Sequence, residues 1–214
     1  MPTVLITTGA TVTFRSLLDY VVSPEFIENL SKFKVSRLKL QYGNEINPTT
    51  NEHVSRDYFE RLVKQSEIVS KFQLDISTDR KSDTDGSITY SSTKYDFVLE
   101  AFPFSMDIDS HIRSADVVIS HAGTGSIIDA LKLHKKLVVI VNDALMDNHQ
   151  AEIANEFAKL NYCVSHNVNE LFGTEKLINS VRSLLDGSIQ LTEFPANKKE
   201  IVESIIAEEL QKAV

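Results

Sequence analysis

The chain contains 214 residues, of which 30 are acidic and 22 basic, so its formal net charge is −8 at pH 7. A chain of this length has room for one substantial hydrophobic core, and an acidic surface disfavours long-range attraction to nucleic acids or anionic membranes. The single cysteine, Cys163, cannot form a disulfide within the chain, and no cysteine–histidine spacing typical of a zinc site is present. A lone cysteine is typical of a reducing compartment. The first residues resemble no signal peptide and no apolar run approaches the length of a membrane span, so we expect a chain that does not cross a membrane.

The first part of the chain alternates short apolar, β-branched runs with segments of helical period. The pattern predicts strands at residues 4–8 and 37–42 and helices at residues 14–22, 24–33 and 54–66. Residues 77–94 are polar apart from Ile88 and Tyr90, which predicts a long loop.

The second part is more regular. The pattern predicts strands at residues 95–101, 117–120, 137–141 and 163–164 and helices at residues 107–114, 125–133, 147–160 and 170–185. Strands that alternate with helices predict a doubly wound, mostly parallel α/β sheet of the Rossmann type. We predict one domain over residues 1–190, followed over residues 191–214 by a linker and an amphipathic helix (198–212) that docks on a partner or packs on its own domain.

Three loops at predicted strand ends carry unusual residues, and the first spans residues 7–14. Ligands of open α/β sheets bind beyond the carboxyl ends of the strands. The small residues Gly9, Ala10 and Thr11 let backbone N–H groups approach an anion, and the next helix adds partial positive charge. The loop lacks the lysine of a Walker loop and the spacing of GxGxxG, and alone it also fits a plain strand-to-helix turn.

The second loop, residues 120–126, reads Ser-His-Ala-Gly-Thr-Gly-Ser. Thr124 and Ser126 suit either a helix cap or a phosphate contact, and His121 suits either a phosphate oxygen or a structural backbone carbonyl. With a rise of about 1.5 Å per residue, Asp129 is placed to reach a ribose, unless it is simply a solvated helical acid.

The third loop spans residues 142–150, where Asp147 fits a helix N-cap. Asn148, His149 and Gln150 follow it and either face a ligand or form an exposed first turn. Three donor-rich loops at strand ends, with an acid at a suitable offset, together favour a nucleotide-diphosphate site.

The chain resembles the donor-binding half of the GT-B glycosyltransferases related to MurG. The resemblance rests on three features: His-Ala-Gly-Thr-Gly-Ser at 121–126, Asp129, and Asp-Asn-His-Gln at 147–150. Within that group the chain resembles the family of small soluble catalytic subunits of the eukaryotic UDP-GlcNAc transferase that acts on dolichol-pyrophosphate-GlcNAc. The resemblance runs from residue 4 to about residue 160 and includes the loop at 9–14, whereas the C-terminal segment matches loosely.

The resemblance implies a role for each loop in binding UDP-GlcNAc, with no cofactor and no obligatory metal. Asp129 would hold the ribose, although the wider superfamily usually has the longer Glu there. The implied donor-binding set comprises diphosphate contacts from Gly9, Ala10, Thr11, His121, Thr124, Gly125 and Ser126, uracil contacts from the backbone of Phe104 and Ser105, and donor-sugar contacts from His149 and Gln150. Asn148 belongs to the donor-binding set without an assigned contact.

GT-B enzymes have two domains, and this chain matches only the donor-binding one. The resemblance therefore implies a membrane-anchored partner that binds the lipid-linked acceptor and recruits this cytoplasmic chain to the cytosolic face of the endoplasmic reticulum. The implied reaction is an inverting transfer that adds the second GlcNAc, β1,4-linked, to GlcNAc-pyrophosphate-dolichol in N-glycan precursor synthesis. His121 and His149 are candidate bases, but the base stays unassigned because the partner is an equal source.

Two other functions compete with this interpretation. A non-catalytic regulatory subunit that binds a UDP-sugar would keep the same phosphate loops. A Rossmann oxidoreductase would require GxGxxG after the first strand, which this sequence lacks.

Overall fold

The structure is a computed structural model that describes residues 1–9, 11–77, 86–142 and 149–195. The chain forms two compact units, Met1–Asp116 and Val117–Val214. Ala10, Asn148 and the predicted helix at 198–212 lie outside the described residues, and the predicted boundary between residues 190 and 191 stays a prediction.

The first unit contains five described strands and five described helices. Its strands are β1 (Thr3–Thr7), β2 (Arg37–Gln41), β3 (Asp75–Ser77), β4 (Ile88–Ser92) and β5 (Phe97–Phe102). Its helices are α1 (Arg15–Val21), α2 (Pro24–Lys32), α3 (Val54–Gln65), α4 (Ile68–Lys71) and α5 (Ile108–Arg113). The strand order is β3-β4-β5-β2-β1. Strands β5, β2 and β1 run parallel to one another, and β4 pairs antiparallel with both β3 and β5.

The parallel strands of this unit differ in burial, and β2 and β5 each keep partly exposed residues. All five residues of β1 are buried. The Ser23 hydroxyl caps α2 by accepting a hydrogen bond from the Phe26 N–H at 3.2 Å. Pro24 occupies the first helical position, where a backbone N–H would have no partner within the helix, so its absence in proline costs nothing. Helix α3 is anchored by Phe59, whose ring stacks on Tyr42 with centroids 5.0 Å apart.

The second unit contains three parallel strands in the order β6-β7-β8. They are β6 (Val117–His121), β7 (Lys136–Val141) and β8 (Val164–Asn167), and the described helices are α6 (Thr124–Lys132), α7 (His149–Lys159) and α8 (Lys176–Asp186). A 3-10 turn at Val168–Glu170 precedes α8. The apolar runs of β6 and β7 are buried almost throughout.

The structure confirms the predicted α/β class with mostly parallel strands, and it corrects three local predictions. The predicted loop at 77–94 contains strand β4 and begins with the last residue of β3. The predicted helix at 170–185 begins at Lys176, because a 3-10 turn occupies Val168–Glu170. The short final strand at 163–164 extends instead over Val164–Asn167.

No helix in the described part of the chain combines the length and the apolar character needed to cross a membrane.

Candidate functional site

The loop between β6 and α6 places a glycine at the start of a nine-residue helix. Gly123 is the N-cap residue, with an extended backbone (φ −73°, ψ 122°), and it has no side chain with which to cap the helix. The first N–H groups of an α-helix have no partner within the helix, and they carry partial positive charge. The first turn of α6 also contains no acidic residue, so nothing in that turn repels an anion.

The His121 ring lies against Gly123. A Cβ atom at position 123 would stand 2.4 Å from His121 Nε2 and 3.0 Å from its Cδ2, which is closer than such atoms approach one another. Glycine is therefore required for the ring to occupy this position beside the helix start. The Ser120 hydroxyl, which is fully buried, donates to the His121 carbonyl at 2.9 Å and fixes the main chain there.

The other predicted residues of α6 lie around the same helix start. Thr124, Ser126 and Asp129 are half-buried and Gly125 is exposed. Ser126 and Asp129 are three residues apart, so they share one side of the helix. A Cβ at Gly125 would meet nothing within 4 Å, so this glycine leaves open space at the first turn.

The third predicted loop is described only where α7 begins. His149 is the first residue of α7 and Gln150 the second. Residues 143–148, including Asn148, lie outside the described part. The contacts predicted for these three side chains therefore stay predictions.

In the first unit, the loop after β1 turns at Gly9, whose φ of +85° lies in the left-handed region that favours glycine. The Thr8 hydroxyl donates to the Gln41 carbonyl at 2.8 Å and joins the ends of β1 and β2. Thr11 is exposed. The predicted diphosphate contacts of Gly9 and Thr11 are untested by this geometry.

Glu45 and Ser55 hold this loop, and sequence reasoning missed both. The Glu45 carboxylate accepts hydrogen bonds from the Thr13 N–H at 2.8 Å and from the Thr13 hydroxyl at 2.7 Å. The hydroxyls of Thr13 and Ser55 are 2.7 Å apart. The hydrogen bonds from the Thr13 hydroxyl and N–H lower the pKa of Glu45, and the nearby charge of Arg15 lowers it further. The carboxylate is therefore ionised at neutral pH.

The loop after β5 carries the residues predicted to contact uracil. Phe104 is 45% exposed. The Ser105 hydroxyl accepts from the Asp107 N–H at 3.1 Å, and Asp107 caps α5 by accepting from the Ser110 N–H at 3.3 Å. These bonds define the path of the main chain through the loop.

The single cysteine, Cys163, is buried. Burial raises the pKa of Cys163 to about 12, so its thiol stays protonated and unreactive. Within residues 1–9, 11–77, 86–142 and 149–195, no group of three or more His, Cys, Asp or Glu side chains is arranged to hold a metal ion.

Parallel strands that alternate with helices and end in glycine-containing loops define an α/β protein of the Rossmann-like class. The family model of the glycosyltransferase family 28 C-terminal domain matches residues 3–209. The chain belongs to that family and is a glycosyltransferase by descent, which decides against a Rossmann oxidoreductase.

Relatives and solved structures agree with this assignment. The chain is 41% identical to the UDP-N-acetylglucosamine transferase subunit ALG13 of Candida albicans over 99% of this chain and 75% of that protein. It is 39% identical to the subunit of the same name from Saccharomyces cerevisiae over 73% of each chain. A solution structure of ALG13 matches with a TM-score of 0.64 and 33% identity, covering 97% of this chain and 96% of that one.

A more distant structure extends the likeness of fold. MurG of Acinetobacter baumannii matches with a TM-score of 0.55 and 14% identity, covering 98% of this chain but 46% of MurG. The predicted likeness to part of a MurG-type GT-B fold is confirmed.

Proposed function

We propose that this chain is the catalytic, UDP-GlcNAc-binding subunit of a heteromeric glycosyltransferase that adds the second GlcNAc, β1,4-linked, to GlcNAc-pyrophosphate-dolichol. The relatives named as UDP-N-acetylglucosamine transferase subunits support the donor and the need for a partner. The acceptor, linkage and catalytic role rest on the resemblance of the loop motifs.

The observation that carries the proposal is the uncapped start of α6, with His121 beside it and no acid in the first turn. A leaving UDP develops negative charge on its β-phosphate. Fixed N–H groups at a helix start stabilise such charge without reorganising, as an oxyanion hole does. In the proposed complex, His121, Thr124, Gly125 and Ser126 contact phosphate and Asp129 binds the ribose.

The proposed chemistry is a direct displacement with inversion at the anomeric carbon. The acceptor 4-hydroxyl oxygen forms a bond to C1 of GlcNAc while the bond from C1 to the β-phosphate oxygen breaks, and UDP leaves with the electron pair. The acceptor proton passes to a base. His121 and His149 are candidates on this chain, and a residue of the partner is the alternative source.

The proposed partner is a membrane-anchored subunit that binds the acceptor at the cytosolic face of the endoplasmic reticulum. We assign docking to the segment 191–214 because its apolar residues recur with helical period. We further propose that transfer needs no divalent metal, which predicts full activity in excess EDTA.

The test is transfer of radiolabelled GlcNAc from UDP-GlcNAc to a GlcNAc-pyrophosphate-lipid, measured with and without a membrane fraction that supplies the partner. His121→Ala is expected to lower the rate by about 10²–10³-fold, the usual cost of one charge-stabilising donor, with an unchanged melting temperature. His53→Ala is the matched control, because His53 is exposed and its side chain does not cap α3.

Two results would contradict the proposal. UDP binding without transfer in any membrane context would favour a regulatory subunit. Equal rates for His121→Ala and His53→Ala would remove His121 from the site.

A further inference from the structure

Glu45, Thr13 and Ser55 form a closed set of hydrogen bonds at the carboxyl ends of β1 and β2. The Glu45 carboxylate accepts from both the N–H and the hydroxyl of Thr13. The Glu45 N–H donates to the Ser55 hydroxyl oxygen at 2.9 Å. Thr13 and Ser55 are 4% and 1% exposed, so the hydrogen bond between their hydroxyls is shielded from competing water, whereas Glu45 is half-buried.

The direction of every proton in this set is fixed by chemistry. An ionised carboxylate only accepts, and each hydroxyl has one proton to donate. The Thr13 proton goes to Glu45, so the Ser55 hydroxyl must donate to the Thr13 oxygen across their 2.7 Å separation. Each donor then has one acceptor, and the set has one stable arrangement.

The set fixes one loop to another. Thr13 ends the loop that follows β1, Glu45 lies in the connection after β2, and Ser55 lies in the first turn of α3. The N-cap residue of α1, Phe14, makes no side-chain cap bond, and the bonds from Thr13 to Glu45 fix the residue just before it. Gly43, whose φ is +98°, lies beside these hydrogen bonds. A Cβ atom at position 43 would be 3.1 Å from the Ser55 hydroxyl oxygen and 3.6 Å from the Gly9 carbonyl oxygen.

We propose that Glu45 is a positioning residue, which acts through Thr13 to hold the loop of Gly9 and Thr11 in the conformation that binds the donor pyrophosphate. This inference rests on the proposed function. It assigns Glu45 no contact with the donor, since a carboxylate beside a phosphate would repel it. Both Thr13 bonds go to the same carboxylate oxygen, so the amide oxygen of a glutamine at this position is able to accept both.

The experiment compares binding of UDP and of uridine, which has no phosphate, to the full chain by NMR titration. Glu45→Ala is expected to weaken UDP binding by about tenfold, the cost of losing the two hydrogen bonds from Thr13, and to leave uridine binding unchanged. Glu45→Gln is expected to stay within about twofold of the wild type, because it keeps the acceptor oxygen.

In the transfer assay, Glu45→Ala is expected to raise the KM for UDP-GlcNAc much more than it lowers kcat, and Glu45→Gln is expected to restore KM. The matched control is Glu52→Ala in the same connection, where the carboxylate accepts an exposed hydrogen bond from the Thr50 hydroxyl at 2.9 Å. If Glu45→Ala does not fold, Thr13→Val carries the test, with UDP binding weakened and uridine binding unchanged.

Three results would overturn the inference: equal UDP affinity in Glu45→Ala and Glu52→Ala, an equal loss of UDP and uridine binding in Glu45→Ala, or a Glu45→Gln variant as weak as Glu45→Ala. A wild-type chain that binds no UDP and supports no transfer would instead overturn the proposed function itself.

Discussion

The two glycines of the loop between β6 and α6 are present for different physical reasons. At Gly123 a side chain would collide with the His121 ring, whereas at Gly125 a side chain would extend into open space. Neither Gly123 nor Gly125 is among the described glycines with a positive φ. Backbone strain therefore does not explain why glycine stands at either position. Gly123 is there for packing against a histidine, and Gly125 leaves the first turn of α6 accessible.

Gly123→Ala is expected to displace the His121 ring and to weaken UDP binding by about tenfold or more, because the ring must leave its place beside the helix start. Alanine is also a poorer N-cap than glycine, which costs about 1 kcal/mol or less. The measurement is the position of the His121 ring signals in a carbon–proton correlation spectrum. Gly125→Ala is the comparison and is expected to leave those signals in place; unmoved His121 signals in Gly123→Ala would contradict the packing argument.

At the scale of elements, β8 and α8 are joined by a hydrogen bond between His166 Nε2 and the Ser180 hydroxyl at 2.8 Å. Burial lowers the pKa of His166 below its ordinary value; the nearby Glu170 carboxylate opposes this effect and the Lys176 charge adds to it. The native fold therefore favours the neutral ring. As the pH falls through the ordinary value of 6.5, the unfolded chain takes up a proton that the folded chain does not, so stability decreases.

We expect the melting temperature of the wild type to fall more steeply between pH 7.5 and 5.5 than that of His166→Gln. The ring is partly exposed, so the profiles are expected to diverge by only about 1–2 °C. Thermal unfolding followed by circular dichroism at several pH values measures this, with His53→Gln, a change at an exposed histidine, as the control. Parallel profiles for the wild type and His166→Gln would show that this histidine is not linked to folding.

The elements that could be predicted from the sequence are those with a clear apolar pattern. Strands β6 and β7 are buried apolar runs, and α2 has its cap and proline in sequence. Strand β4 does not follow from the sequence because Ile-Thr-Tyr-Ser-Ser is mostly polar. Its hydrogen-bonded pairing with β3 and β5 stabilises the extended conformation instead. Helix α4 has only four residues, too few for helical period to appear.

The same limit applies to the candidate site. The His121 loop and α6 are contiguous in sequence, so their arrangement follows from a local motif. Glu45 is 32 residues from Thr13, and Ser55 is 42 residues from it. A single sequence carries no pattern for such pairs, because the turns that bring them together are set by the packing of β1, β2 and α3.

At the scale of the whole molecule, the described chain is held in place to its last residues. Phe194 is 6% exposed, and its ring packs edge-on against Tyr162 with centroids 5.2 Å apart. The Thr192 N–H donates to the Asn161 carbonyl at 2.8 Å, and the Asn161 amide donates to the Gln190 carbonyl at 3.1 Å. A chain ending after residue 197 therefore keeps every one of these contacts.

Deletion of residues 198–214 is accordingly expected to leave the melting temperature within about 2 °C of that of the full chain and to leave UDP binding unchanged. The same deletion is expected to abolish capture of the membrane partner from microsomal extract, together with the transfer activity that depends on that partner. Ile205→Asp tests the same surface in the full chain, since it places a charge among the apolar positions that also include Ile201 and Val202. Ser204→Asp adds the same charge at a position outside the apolar stripe and is expected to retain both partner and activity. A large drop in melting temperature on deletion, with the partner still captured, would mean that the segment packs on its own domain instead.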